Sequence, residues 1–292
     1  MGRRAAEKIA DISMLSPAVL LVVVFCVIPL GLAIYLSFTD WNGFDEANMV
    51  GWANYKRIGS DRDVHRAAIF TGLIAIFGTL GLNVFGLGTA MLLNRNTRVN
   101  RFMRFLAFSP FVLGAVVLGF LWNAILGPRG AINTLLKTWG YGSIPFLSQS
   151  TPAKISVICV IIWASYGFHA VLYLAGLQTI DQSLIEAAVV DGANRWQIFR
   201  RVKLPVLAPT ITVNLTLAMI GMLKVYEWVL TITKGGPGGR TQTIAYEILS
   251  VAFDNSWLGY GCAQGVVLMV ILVVLSVAIQ IARRKSEEDV AA

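Results

Sequence analysis

Charge is scarce in this chain. Of its 292 residues only 14% are Asp, Glu, Lys or Arg, too few to cover the surface of a soluble domain of that size. The apolar share is 56% and the mean hydropathy is +0.68, which excludes a soluble globular protein and points to a membrane protein. Acids are rarer than bases, 16 against 24, for a formal charge of +8. In a soluble protein that excess would suggest nucleic acid. Here the basic residues stand in short blocks beside apolar runs, as the positive-inside rule predicts, so no nucleic-acid partner is expected. The three cysteines, Cys26, Cys159 and Cys262, lie inside apolar runs with no paired spacing, which argues against a disulfide framework or a zinc site. The two histidines, His65 and His169, have no Cys, Asp or Glu at ligand spacing and read as packed or hydrogen-bonded residues rather than metal ligands or general bases. No paired carboxylates and no nucleophile beside a base stand out, so no enzyme activity and no metal are expected. The run Lys234 to Thr241, KGGPGGRT, departs from GxxxxGK[ST] and follows no strand pattern, which argues against a phosphate-cradling loop.

What the chain has is grease in long pieces. Six apolar runs cover residues 14–37, 67–93, 102–126, 153–175, 206–232 and 262–281. Each holds about 20 residues or more, enough at about 1.5 Å per residue to cross a hydrocarbon core of about 30 Å. The runs are apolar all round and do not alternate, which argues against barrel strands. The expected fold is therefore an all-α membrane protein of six transmembrane helices, a single transmembrane domain over 1–292. The basic N-terminus resembles a signal peptide, but its apolar run is too long and lacks a small-residue cleavage site, so it is expected to remain as a first span. Inner segments would hold Arg3, Arg4 and Lys8; Arg95, Arg98, Arg101 and Arg104; Arg195, Arg200, Arg201 and Lys203; and Arg283, Arg284 and Lys285. The outer segments hold fewer Lys and Arg, so both termini of this multi-pass chain are expected in the cytoplasm.

Between spans four and five lies a polar interruption, EAAVVDGANRWQIFRRVKLPVLAP, residues 186–209. Residues 182–190 and 194–202 each carry a short, partly amphipathic helical pattern. Asp191 and Gly192 separate them, and Leu204-Pro205 is expected to stop the second helix, with Pro205 in the first turn of span five. Residues 182–205 thus predict a cytoplasmic helix-turn-helix unit. Its physics allows two readings. Glu186, Ala187 and Ala188 offer a flat face for another protein; alternatively the unit lies on lipid, helped by Arg200, Arg201 and Lys203.

Span five is the most polar, with Asn214, Lys224, Tyr226 and Glu227 as candidates for a substrate pathway. An ionised side chain in mid-bilayer costs roughly 2.5 to 3.5 kcal/mol, so Lys224 and Glu227 should pair or face water. Their i, i+3 spacing lets them meet on one helix face. Asn214 can equally serve as a helix-helix hydrogen bond, and the Lys-Glu pair as a structural feature near the headgroups.

Glu186, Ala187, Ala188, three residues, Gly192, nine residues, then Val202, Lys203, Leu204 and Pro205 resembles the EAA loop of binding-protein-dependent ABC importer permeases. The family usually has Ile where this chain has Val202. LSPAVLLVVVFCVIPLGLAIYLSFTDW, VGWANYKRI, GAINTLLKTWG, TITKGGPGGRTQTIAYEI and LGYGCAQG are similar to segments of the carbohydrate branch, the maltose-type and glycerol-phosphate-type permeases. The resemblance implies a permease subunit of a sugar importer in a bacterial-type plasma membrane. It implies that Glu186, Ala187, Ala188, Asp191, Gly192, Val202, Leu204 and Pro205 belong to a coupling element seated on a cytoplasmic ABC ATPase dimer, where ATP and Mg are bound; this chain would bind no cofactor. It further implies a second, paralogous permease as heterodimer partner and an extracytoplasmic substrate-binding protein. The topology places Gly235, Gly236 and Pro237 in a tight outer turn, expected against that binding protein or at the substrate exit mouth. Membrane lipid is the remaining partner. The alternatives are a membrane anchor or receptor that recruits a cytoplasmic partner, and a secondary transporter. The latter would need buried acids beyond Glu227 and an inverted repeat that the sequence does not display.

Overall fold

The computed structural model describes residues 14–291, with side chains to Arg283. Arg3, Arg4 and Lys8, counted above toward the inner charge, lie outside the described residues, as do the side chains of Arg284 and Lys285. The described residues are almost entirely helical; β-pairing is limited to an isolated bridge between Thr39 and Met49. Five helices are long and apolar enough to cross a membrane, or six if the bent pair Arg195–Val206 and Ala208–Leu223 counts as one span.

The chain divides into two compact units. The first combines the described part of Met1–Asp61 with Ile248–Met269. Its opening helix, Met14–Leu36, has a mean hydropathy of 2.9 over its most apolar window and buries none of that window; a helix apolar all round and so exposed suits lipid. Beyond it the chain is tied down by local polar chemistry. The Asn54 side-chain amide donates to the carbonyls of Ser37 (2.9 Å) and Thr39 (2.8 Å), while Phe38, Trp52 and Tyr55 cluster at ring separations of 5.1 to 5.3 Å. The Arg57 guanidinium lies over Trp257 at 4.1 Å and Tyr260 at 4.4 Å, and Tyr260 donates its hydroxyl hydrogen to Asp61 at 2.9 Å. These contacts fasten residues 37–61 to the start of the last helix, Leu258–Ala291.

The second unit joins Arg62–Glu247 to Val270–Ala292. Its centre is the pairing of the helical run Arg62–Leu92 with the long helix Ser150–Gln178. Phe70, Ile74, Leu82, Leu118, Ile161, Met222, Val229 and Ile232 form the buried core. Small residues allow the backbones to approach: a β-carbon on Gly167 would collide with the backbone of Ala107 and Phe108, the close-contact packing that membrane helices use in place of a hydrophobic driving force.

Two expected helices are interrupted, and a third runs on past its expected stop. The third span, expected unbroken over 102–126, is two helices, Arg98–Leu113 and Ala115–Leu126. Gly114 between them has φ 79°, a conformation that ends a helix and that glycine adopts without a β-carbon clash. The fifth span, expected over 206–232, is Ala208–Leu223 followed by Glu227–Ile232. Nor does Pro205 end the helix before it. That helix continues to Val206 and bends 70° before Ala208. A π-turn over Phe199–Lys203, in which the Leu204 N–H bonds the Phe199 carbonyl, precedes Pro205 and accommodates its missing donor. Pro209, in the first turn of the next helix, has no N–H to give to the Pro205 carbonyl, and the break falls there. The fourth and sixth spans run longer than expected: Ser150–Gln178 for 153–175, and a last helix that begins at Leu258 rather than 262.

Candidate functional site

The helix-turn-helix unit is assembled by capping chemistry written into a few residues. Asp181 caps the helix Gln182–Val190, accepting from the Ser183 N–H at 2.9 Å. That backbone hydrogen bond, with a second from the Ser183 hydroxyl, holds the Asp181 carboxyl below its ordinary range. At the other end the Gly192 N–H bonds the Val189 carbonyl (3.0 Å) and the Ala193 N–H bonds the Ala188 carbonyl (2.9 Å). With Gly192 at φ 79° this is a Schellman C-cap. The next residue starts the second helix with a full capping box: Asn194 Oδ1 accepts from the Gln197 N–H at 2.9 Å, and the Asn194 N–H donates to Gln197 Oε1 at 2.8 Å. Two helix ends are thus satisfied across three turn residues, which makes the joint rigid.

What the unit presents is an uncovered face. No residue of Gln182–Val190 is buried. Glu186 and Ala187 are exposed and Ala188 half-buried, as are Val202, Leu204 and Pro205; Asp191 and Gly192 are exposed. A β-carbon added at Gly192 would meet nothing within 4 Å, so the demand for glycine there comes from backbone conformation alone. Val190 and Trp196 stand 87% and 65% exposed, an outward apolar surface in which the Trp196 ring lies 5.4 Å from that of Phe199.

The polar residues of the fifth span separate into two groups. Asn214 is fully buried. Its amide donates to the Thr210 carbonyl at 3.2 Å, which turns Oδ1 toward His169 Nδ1 at 2.9 Å, so the imidazole donates. Asn214 therefore ties two helices together in this structure. Lys224 and Glu227, with Phe111, Ser165, Phe168, His169 and Trp228, border an open cavity of about 430 Å³. They form no ion pair. The helix ends at Leu223 and restarts at Glu227, with Tyr226 between them at φ −138°, so the i, i+3 geometry expected on one helix face does not exist. Tyr226 itself lies outside that lining.

The turn containing Gly235, Gly236 and Pro237 folds back on itself. The Thr241 hydroxyl reaches Thr233 Oγ1 at 2.8 Å and the Gly236 carbonyl at 2.6 Å, and the Thr241 N–H donates to the Gly235 carbonyl at 3.2 Å. Two ties escaped the sequence reading. The Tyr173 hydroxyl donates to Asn83 Oδ1 at 2.6 Å, and the Asn123 amide donates to the Ile232 carbonyl at 2.6 Å. Both asparagines sit inside apolar runs, a position where an amide needs a partner, and that was the available signal.

Residues 82–287 match the family described as binding-protein-dependent transport system inner membrane component. The chain is 33% identical over 264 residues to "Probable starch degradation products transport system permease protein AmyD" of Thermoanaerobacterium thermosulfurigenes, covering 90% of each chain. It is 30% identical over 277 residues to the diacetylchitobiose uptake system permease protein NgcF of Streptomyces coelicolor, covering 90% of this chain and 78% of that one. Among solved structures it is similar to a bacterial alginate ABC transporter in complex with an alginate pentasaccharide-bound periplasmic protein. The TM-score there is 0.85 at 22% identity, over 98% of this chain and 97% of that one, a likeness of fold. With the family match spanning most of its helices, the chain belongs to the binding-protein-dependent transport system inner membrane components, the non-catalytic permease subunits of ABC transporters, whose ATPase is a separate chain.

Proposed function

We propose that this chain is one of two paralogous permeases of an ATP-driven importer for a sugar or sugar derivative, and that residues 182–205 couple it to a cytoplasmic ATPase dimer. The observation that carries the reading is the rigid, uncovered helix-turn-helix unit, in which Glu186, Ala187 and Ala188 lead directly into the Schellman turn at Gly192. The sugar class is drawn from relatives whose names specify starch degradation products and diacetylchitobiose.

The route from loop to cavity is continuous in the chain. A push on Gln182–Val190 passes through the capped turn into the helix Arg195–Val206, around the bend, and into Ala208–Leu223. That last helix has 16 residues, about 24 Å of rigid rod at 1.5 Å per residue. It ends at Lys224, on the cavity border. Closure of the ATPase around ATP and Mg would therefore move a cavity wall. Lys224 and Glu227 suit the hydroxyls of a sugar, and Phe168 and Trp228 its apolar ring faces. An extracytoplasmic binding protein would deliver the substrate, with the turn at Gly235, Gly236 and Pro237 on that side and both termini in the cytoplasm. The first helix, unburied by its own chain, is left for lipid and the second permease.

Gly192→Val and Glu186→Lys test the reading in proteoliposomes holding the complete transporter. Valine at φ 79° strains the turn, and lysine reverses the charge at the docking face. Both variants are expected at near-normal membrane abundance, with transport reduced about tenfold or more and ATPase copurification, substrate-stimulated hydrolysis or both diminished. Wild-type transport and hydrolysis in both would refute the coupling role. A loop that lies on anionic lipid predicts unchanged or stronger membrane attachment for Glu186→Lys with no effect on the ATPase.

A further inference from the structure

We infer that Arg283, near the end of the last helix, is a positioning residue that pins the 70° bend between Arg195–Val206 and Ala208–Leu223 and so sets the angle at which the coupling unit is carried. The inference rests on the coupling reading above. Arg283 Nε donates to Thr212 Oγ1 at 3.2 Å and Nη2 donates to the Ala208 carbonyl at 3.4 Å. The Thr212 hydroxyl donates in turn to that same carbonyl at 3.0 Å. The guanidinium therefore closes a ring over the first turn after the bend, using two prongs of its planar fork.

The bend needs such a restraint. Leu207 joins two helices with φ −77° and ψ −2°, and Pro209 removes the hydrogen bond that would otherwise cross the joint. Leu207 keeps its own bonds to the Lys203 carbonyl and from the Ile211 N–H, but a joint that loses a bond across it has a softer angle unless side chains fix it. On the apolar side Leu207 is fully buried and packs with Ala90, Tyr173, Leu174 and Leu177. Arg283 supplies a polar restraint on the same bend. Among the described residues it has no carboxylate partner, so its charge is directed at a backbone carbonyl and a hydroxyl. Such charge-assisted bonds hold an orientation strongly enough to shift a two-state equilibrium about tenfold or more.

The test reads the angle directly. Spin labels at Ala175, exposed on Ser150–Gln178, and at Trp196, exposed on Arg195–Val206, report the distance across the bend in the assembled transporter. Arg283→Ala is expected to broaden or shift that distance distribution and to lower substrate imported per ATP hydrolysed about tenfold. Arg283→Lys, which retains charge but not the fork, is expected to restore part of both. An unchanged distance distribution in Arg283→Ala overturns the inference whatever transport does. A broadened distribution with a wild-type transport-to-ATP ratio upholds the pin and counts instead against the coupling reading. Should Arg283→Ala fail to reach the membrane, Thr212→Val removes one acceptor at nearly constant shape. It is then expected to broaden the same distribution to a lesser degree, and an unchanged distribution there overturns the inference.

Discussion

Lys224 and Glu227 show how a spacing rule depends on the helix beneath it. Three residues apart in an apolar run, they predict a pair; with the helix ended at Leu223 and restarted at Glu227 they border a cavity without pairing. Removing both is therefore expected to impair transport by about the product of the single effects, since residues that do not touch act additively. A double-mutant cycle of Lys224→Ala and Glu227→Ala on transport rate checks this, and a double variant healthier than Lys224→Ala alone would restore the pair. Gly192 was legible in the sequence because capping is local chemistry; Asn194 with Gln197 three residues on carries the spacing of a capping box, a signal the sequence reading did not use. The role of Asn214 was not legible, because its partner His169 lies 45 residues away. Asn214→Leu is expected to leave His169 unpartnered and to lower thermal stability in detergent by about 1 to 2 kcal/mol; an unchanged unfolding midpoint would contradict that. Asp181 gives the opposite kind of forecast. Its folded carboxyl titrates below the unfolded value, so its cap contributes fully above the ordinary carboxylate range and is lost only as pH falls through the lowered value. Transport between about pH 6 and 8 is accordingly expected not to depend on its titration.

At the scale of elements, hydropathy located the apolar runs and missed where the backbone interrupts them. Apolar composition is continuous through Gly114, and the long fifth run was read on through the polar residues Lys224 to Glu227, yet both places break a helix. Transfer free energy reports on side chains and is nearly blind to φ. Proline was misread in the other direction: Pro205 looked like a stop, but the π-turn ahead of it carries the helix on to Val206, and the bend falls before Pro209. The consequence is mechanical. The helix-turn-helix unit is carried on a bent arm, with Leu207 plugged into an apolar socket and Arg283 on the first turn beyond. An arm of this kind transmits a push only while the bend keeps its angle. Replacing Leu207 with Ala removes a fully buried side chain and is expected to destabilise the protein by about 2 to 5 kcal/mol, more than the exposed Glu186→Lys, measurable as a lower midpoint for thermal unfolding in detergent. Equal midpoints would show that the socket does not hold the arm.

For the whole molecule, the composition established a helical membrane protein before any motif was read, and the EAA-type spacing supplied the family that residues 82–287 match. Sidedness comes from the basic blocks alone. It is checked with single cysteines at Arg98 and Gly238 in a background lacking Cys26, Cys159 and Cys262: an impermeant thiol reagent on intact cells is expected to label position 238 and spare 98, and equal labelling would sink the topology. The substrate stays at the level of a class because the cavity is open and bordered by one chain of a proposed pair. The central claim is that the exposed face at Glu186, Ala187 and Ala188 seats on an ATPase. A photo-crosslinking residue in place of Ala187, irradiated in membranes holding the complete transporter, tests it most directly. The account predicts a crosslink to the ATPase subunit whose yield changes when ATP is added; crosslinks to lipid alone, at a yield indifferent to ATP, would contradict it.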